Sequence, residues 1–107
     1  MRDFRLTLPI ASTKYNLYTL MSAAPNAIPV DGILQDRVQQ VLIQSDGANV
    51  DKIRVGDSNV SAIHGTEVLV GDSLNFGPVP RNSIDLKSFY LLSLADGGVV
   101  NVTINSR

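Results

Sequence analysis

Beyond residue 36 the chain has no apolar run with helical spacing. Short runs rich in Val, Ile, Leu and Phe are instead cut at close intervals by Gly, Asp, Asn and Ser. Arg37 to Gln44 places Val41 and Ile43 on one face, and Lys52 to Val55 does the same with Ile53 and Val55. Val60 to Ile63, Glu67 to Val70, Ser73 to Phe76, and Ile84 with Leu86 follow, each bounded by turn residues. The last two runs, "FYLLSLA" and "VVNVTIN", flank Asp96-Gly97-Gly98 and read as a hairpin. Alternation on this period supports half-buried strands, and six or more of them joined by turns predict a mainly β protein, an antiparallel β-sandwich or barrel.

The N-terminal third is patterned differently. Residues Arg2 to Leu8 alternate, with Phe4, Leu6 and Leu8 on one side, as a strand that Pro9 ends. After Ser12 or Thr13 as N-cap, "KYNLYTLMSAA" sets Leu17, Leu20, Met21 and Ala24 at helical spacing, and Pro25 stops the predicted helix. Residues 25–36, with Pro25, Asn26, Pro29, Asp31 and Gly32, read as an irregular connection with one helical turn near Ile33 and Leu34. The organisation expected is an N-terminal part, residues 1–36 (strand or arm, helix and connection), and a β part, residues 37–107, together one compact domain. A chain of 107 residues is long enough to bury one core.

Charge and cysteine usage narrow the function classes. Nine basic and ten acidic residues are scattered without a run of one sign, so the basic stripe required for nucleic acid is missing from the sequence. There is no cysteine, which removes disulfides and thiolate metal sites. The N-terminal stretch has too short an apolar run for a signal peptide or a membrane span, and the expectation is a soluble chain with no processed leader. Charged residues make up only 18%, leaving a surface of Ser, Asn, Thr, Gln and Gly that suits packing against other subunits.

Val-Gly-Asp-Ser occurs twice, at Val55 to Ser58 and Val70 to Ser73. The second copy runs on into Leu74, so that Gly71-Asp72-Ser73-Leu74 resembles the motif of a class of serine esterases. That resemblance implies Ser73 as nucleophile and a distant base His three residues after an Asp. The one histidine, His64, precedes Ser73, and Ser61 stands where the Asp belongs. Such enzymes also need alternating helices, which residues beyond 36 do not offer. A strand end followed by a Gly-Asp turn, with Gly supplying positive φ, explains both copies at once, and the reading is of turns in a protein that is not an enzyme.

Other candidates lead to no catalytic, cofactor or metal site. Asp46, Asp51, Asp57 and Asp72 lie in turns without EF-hand spacing, where capping is their ordinary work. Tyr15, Tyr18 and Tyr90 could form an aromatic platform, but Tyr15 and Tyr18 stand three apart on the predicted helix and more simply pack it. A carbohydrate-binding module on a sandwich is the competing function class, and six aromatics with no Trp argue against it.

The stretches "KIRVGDSNVSAIHGTEVLVGDSLNFGPV" and "IDLKSFYLLSLADGGVVNVTI" resemble small β-rich structural proteins of tailed-bacteriophage virions, over roughly residues 38 to 105. The resemblance implies a virion protein that works by assembly: a capsid cement or decoration protein, or alternatively a head-to-tail or tail component. Its implied partners are copies of itself, a trimer being one group that fits, and the major capsid protein or other virion proteins, with no nucleic acid, membrane or cofactor. Within this reading, Arg2 to Ile10 is a candidate contact arm, with Phe4, Leu6 and Leu8 as an apolar face and Arg2 and Arg5 facing partner carboxylates. The same residues could equally be the first strand of the domain's own sheet.

Overall fold

The computed structural model describes residues 2–23, 37–61, 63–79, 81 and 83–105. Strands β1 (Arg2–Leu8), β4 (Gln40–Ser45), β7 (Ser73–Phe76) and β10 (Gly98–Asn105) form one antiparallel sheet in the order β1-β10-β4-β7. A second sheet has the order β2-β9-β5-β6, built from β2 (Lys14–Asn16), β5 (Ile53–Gly56), β6 (Thr66–Val68) and β9 (Tyr90–Ser93). A two-stranded ribbon pairs β3 (Arg37–Val38) with β8 (Ile84–Asp85). The protein is mainly β and antiparallel throughout its described sheets. Neither four-stranded sheet closes on itself: β1 and β7 are the edges of one, β2 and β6 of the other.

Period-two alternation fixes the register. Across the first sheet, Phe4, Val102, Ile43 and Leu74 stand opposite one another in a row that faces inward, and all but the half-buried Leu74 are buried. In the second sheet, Val55 stands opposite Leu91, and Leu91 opposite Tyr15. Both inward rows join a single core that includes Leu6, Leu8, Ile53, Val68 and Val100. A one-residue slip of β1, β4, β5 or β10 would turn its inward apolar set to water, so burial selects one register there, whereas β9 buries both Leu91 and Leu92 on opposite faces.

The helix expected between Ser12 or Thr13 and Ala24 does not form in that way. Lys14–Asn16 is strand β2, and Ser12 takes a left-handed φ of 56° while its N–H donates to Ser93 O at 2.8 Å. Helix α1 covers only Leu17–Ser22; Asn16 caps it by accepting from Thr19 N–H, and Leu17 and Met21 are buried. Pairing with β9 takes residues 14 to 16 away from the helix, because a strand on that edge buries Tyr15 against the core. The proline stop and the turn near Ile33 and Leu34 lie outside the described residues.

Three further expectations change. Arg37 to Gln44 is broken at Gln39, whose N–H donates to Asn105 O and whose carbonyl accepts from Val79 N–H. Val60 to Ile63 forms no strand among the described residues: Val60 N–H closes a turn onto Asp57 O, and its side chain is buried. Leu86 opens a single 3-10 turn, Leu86–Ser88, capped by Asp85.

The largest correction concerns the Asp96-Gly97-Gly98 turn. β9 and β10 are not a hairpin; they belong to different sheets, and the turn carries the chain across the core. Gly98 permits the crossing, since a Cβ there would lie 2.7 Å from Ser93 Cβ and collide with its hydroxyl.

Candidate interaction surface

Four connections pass directly from one four-stranded sheet to the other, without entering the β3–β8 ribbon, and all four lie at the same end of the molecule. They are residues 9–13, 46–52, 69–72 and 94–97. The pairings Leu8↔Gly98, Val100↔Ser45, Gln44↔Ser73, Ile53↔Val68 and Lys14↔Leu92 bring these strand ends together. Backbone bonds then brace one loop to the next. Gly97 N–H donates to Pro9 O, Asp46 N–H to Val99 O, Gly71 N–H to Ser45 O, and Leu94 N–H to Lys52 O, at 3.0 to 3.2 Å.

Side chains complete the bracing. Asn49 donates to Val99 O and accepts from Val99 N–H, both at 2.8 Å, and also donates to Ser45 Oγ. Asp96 accepts from Ala11 N–H at 2.7 Å. Asp46 accepts from Ala48 N–H, from the Asn101 amide and from Arg5 at 3.3 Å. These donors, the Ala48 N–H first, then Asn101 and the Arg5 charge, hold the Asp46 carboxyl below its ordinary value. Glu67 is likewise lowered, first by Lys52 and then by Arg54.

Because both folded-state pKa values are depressed, their stabilisation is fully present above the unfolded values. It is lost as pH falls below the unfolded values and through the folded ones. Urea midpoints measured between about pH 6 and pH 3 should therefore fall on the acid side, and less steeply in Asp46→Asn and Glu67→Gln. Equal slopes in parent and variants would contradict this.

The braced loops enclose a shallow cleft of about 100 Å³ lined by Arg5, Asp46, Asn49, Asp51, Ser93 and Asp96, among others. Ligand pockets usually run to roughly 300–1,000 Å³. The cleft's polar groups are mostly committed to the fold, and four large apolar side chains are exposed at this end beside the exposed Asp51, Asp72 and Asp96. Ile10 is 59% exposed, Val50 88%, Leu69 53% and Val70 40%. Of the five large apolar side chains exposed among the described residues, these four sit on crossover loops, and only Ile63 lies elsewhere.

The residues singled out from sequence fall as follows. Phe4, Leu6 and Leu8 are buried in the chain's own core, so the apolar face of the candidate arm is occupied in cis; Arg2 heads the same strand. Arg5 points outward and is well exposed. Ser73 opens β7 opposite Gln44, whereas His64 lies in the β5–β6 loop at the far end of β6, so the two are not brought together.

The two Val-Gly-Asp-Ser copies do not share one cause. Gly71 has φ 83° within the Leu69–Asp72 turn that precedes a strand, while Gly56 is the last residue of β5 with no positive φ. Asp51 and Asp57 accept from Lys52 and Asn59 N–H respectively, and Asp72 braces Ser45 through its backbone. Tyr15 and Tyr90 face opposite sides of the second sheet, because Tyr90 neighbours the inward Leu91, and Tyr15 and Tyr18 both pack against the core.

Val50 carries no motif in the sequence, and Leu69 and Val70 have the pattern of a strand. Their one legible sign is position, since each adjoins a turn-forming residue: Asn49 before Val50, Gly71 after Val70. Comparison with protein families, curated proteins and solved structures returns no match for this chain.

Proposed function

We propose that this chain is a structural protein of a tailed-phage virion, a capsid cement or decoration protein that works by assembly. Its crossover end is the surface that meets the major capsid protein. The observation that carries this reading is the gathering of Ile10, Val50, Leu69 and Val70 on loops whose backbone is braced from within. Large apolar side chains exposed together at one end of a small protein suit a contact site, since water leaves them only when a partner covers them. The virion assignment itself rests on the sequence texture of residues 38 to 105.

The scaffold is read as an open β-sandwich, its two sheets facing one another across the shared core. That arrangement suits the task, because rigid sheets fix the relative positions of loops that would otherwise wander. The low charged fraction supports the same reading. Placement at the head-to-tail joint or in the tail would use the same surface at a lower copy number.

The test is a double substitution, Val50→Asp with Leu69→Asp. Both side chains are exposed, so the melting temperature should move little. Attachment to purified particles lacking the protein should fall at least tenfold, since covering each apolar side chain contributes about 1.5–3 kcal/mol at full burial. Attachment that survives both carboxylates would contradict the proposed surface.

A further inference from the structure

We infer that two copies of this chain join through the outer edge of β1, pairing antiparallel about a two-fold axis centred on Phe4. β1 is seven residues long, whereas the other edges of the four-stranded sheets, β2, β6 and β7, have three, three and four. One side of β1 pairs with β10 along its whole length. Among the described residues nothing bonds to the backbone groups of the other side. A long unpaired edge is a template for another strand, and proteins that remain monomeric shorten or cover theirs.

Charge selects the occupant and the register. The inward row is Phe4, Leu6 and Leu8, and the outward row is Asp3, Arg5 and Thr7. A two-fold axis normal to the sheet keeps inward rows together, so only shifts in steps of two are allowed. Centring on Phe4 places Asp3 opposite the partner's Arg5 and Arg5 opposite the partner's Asp3, forming two opposite-charge pairs. Centring on Arg5 stacks it on its own copy, and centring on Asp3 does the same with two carboxylates. Facing like charges are destabilising, centring on Leu6 sets Arg5 against Thr7 with no charge pair, and only the Phe4-centred register places opposite charges face to face.

Arg5 is free to change partners. Its bonds to Asp46 and Asn101 are long, 3.3 and 3.4 Å, and Asp46 keeps its Ala48 and Asn101 donors without it. The product is an isologous dimer in which two four-stranded sheets become one of eight, a main-chain form of recognition in which the side chains set the register. The inference does not depend on the virion reading, and it concerns the β1 edge, not the crossover end.

The test uses the full-length chain in sedimentation equilibrium over a wide concentration range. A reversible dimer is expected. Arg5→Asp, which makes both cross-strand pairs repulsive, should weaken it at least tenfold. Asp3→Arg with Arg5→Asp should restore it. Because the chain has no cysteine, register can be read directly: mixing Asp3→Cys with Arg5→Cys should give a disulfide-linked dimer on mild oxidation, several-fold more than either variant alone. A chain that stays monomeric throughout overturns the inference. So does a dimer indifferent to Arg5→Asp, or one that cross-links as well from a single variant as from the mixture.

Discussion

Removing residues 1–10 should leave a chain with no cooperative unfolding transition, because it removes a sheet strand and not an appendage. β1 contributes seven register pairs with β10 and three core side chains, of which Leu6 and Leu8 are fully buried. Loss of one such leucine side chain costs about 2–5 kcal/mol. A domain's entire stability is only about 5–15 kcal/mol. The deletion also exposes the inward and edge groups of β10, which without β1 has only β4 beside it.

Leu6→Ala gives the graded form of this experiment. It should lower stability by about 2–5 kcal/mol in urea titrations, with an unchanged m-value. Thr7→Ala, on the exposed face of the same strand, should be nearly silent, within about 0.5 kcal/mol. A deletion variant that melts like the parent would show that β1 docks without supporting the core.

The second large effect is expected at Gly77. Its φ is 94°, and a Cβ placed there would lie 2.5 Å from Gln39 O and 3.3 Å from Gln40 Cα. Neither neighbour can yield easily. The Gln39 carbonyl accepts Val79 N–H at 3.0 Å, and Gln40 begins β4 in the middle of its sheet. Gly77→Ala therefore combines left-handed strain with a backbone collision, and should cost about 2–5 kcal/mol. Gly47 is the matched control. It has an ordinary φ and open space around it, so Gly47→Ala should fall within about 0.5 kcal/mol of the parent. Equal losses at the two sites would contradict this account of the β7 exit.

Local pattern was legible where it concerned one strand at a time. The alternation of Phe4, Leu6 and Leu8, of Val41 and Ile43, and of Ile53 and Val55 marks the buried faces found in the structure. Pairing was not legible. Asp96-Gly97-Gly98 signals a reversal, but a reversal does not say whether the next strand lies beside the last or across the core from it. The answer depends on β1 and β4, which reach β10 from distant parts of the chain.

Helical spacing in residues 14–24 was equally double-edged. Leu17 and Met21 keep their places on α1, yet Tyr15 packs against the core from a strand, because an open sheet edge competes with the first helical turn. The crossover end was hidden for a related reason. Leu69 and Val70 have the composition of strand residues, and only the bonds that tie their turn to Ser45 show that they project beyond the sheet.

The assembly reading stands or falls on whether the chain is carried by particles. Quantitative mass spectrometry of virions purified from cells that express this gene, counting the chain against the major capsid protein, tests this most directly. A copy number comparable to that of the capsid protein is the result expected for a cement or decoration protein seated through Ile10, Val50, Leu69 and Val70. Absence from every particle would contradict the virion assignment.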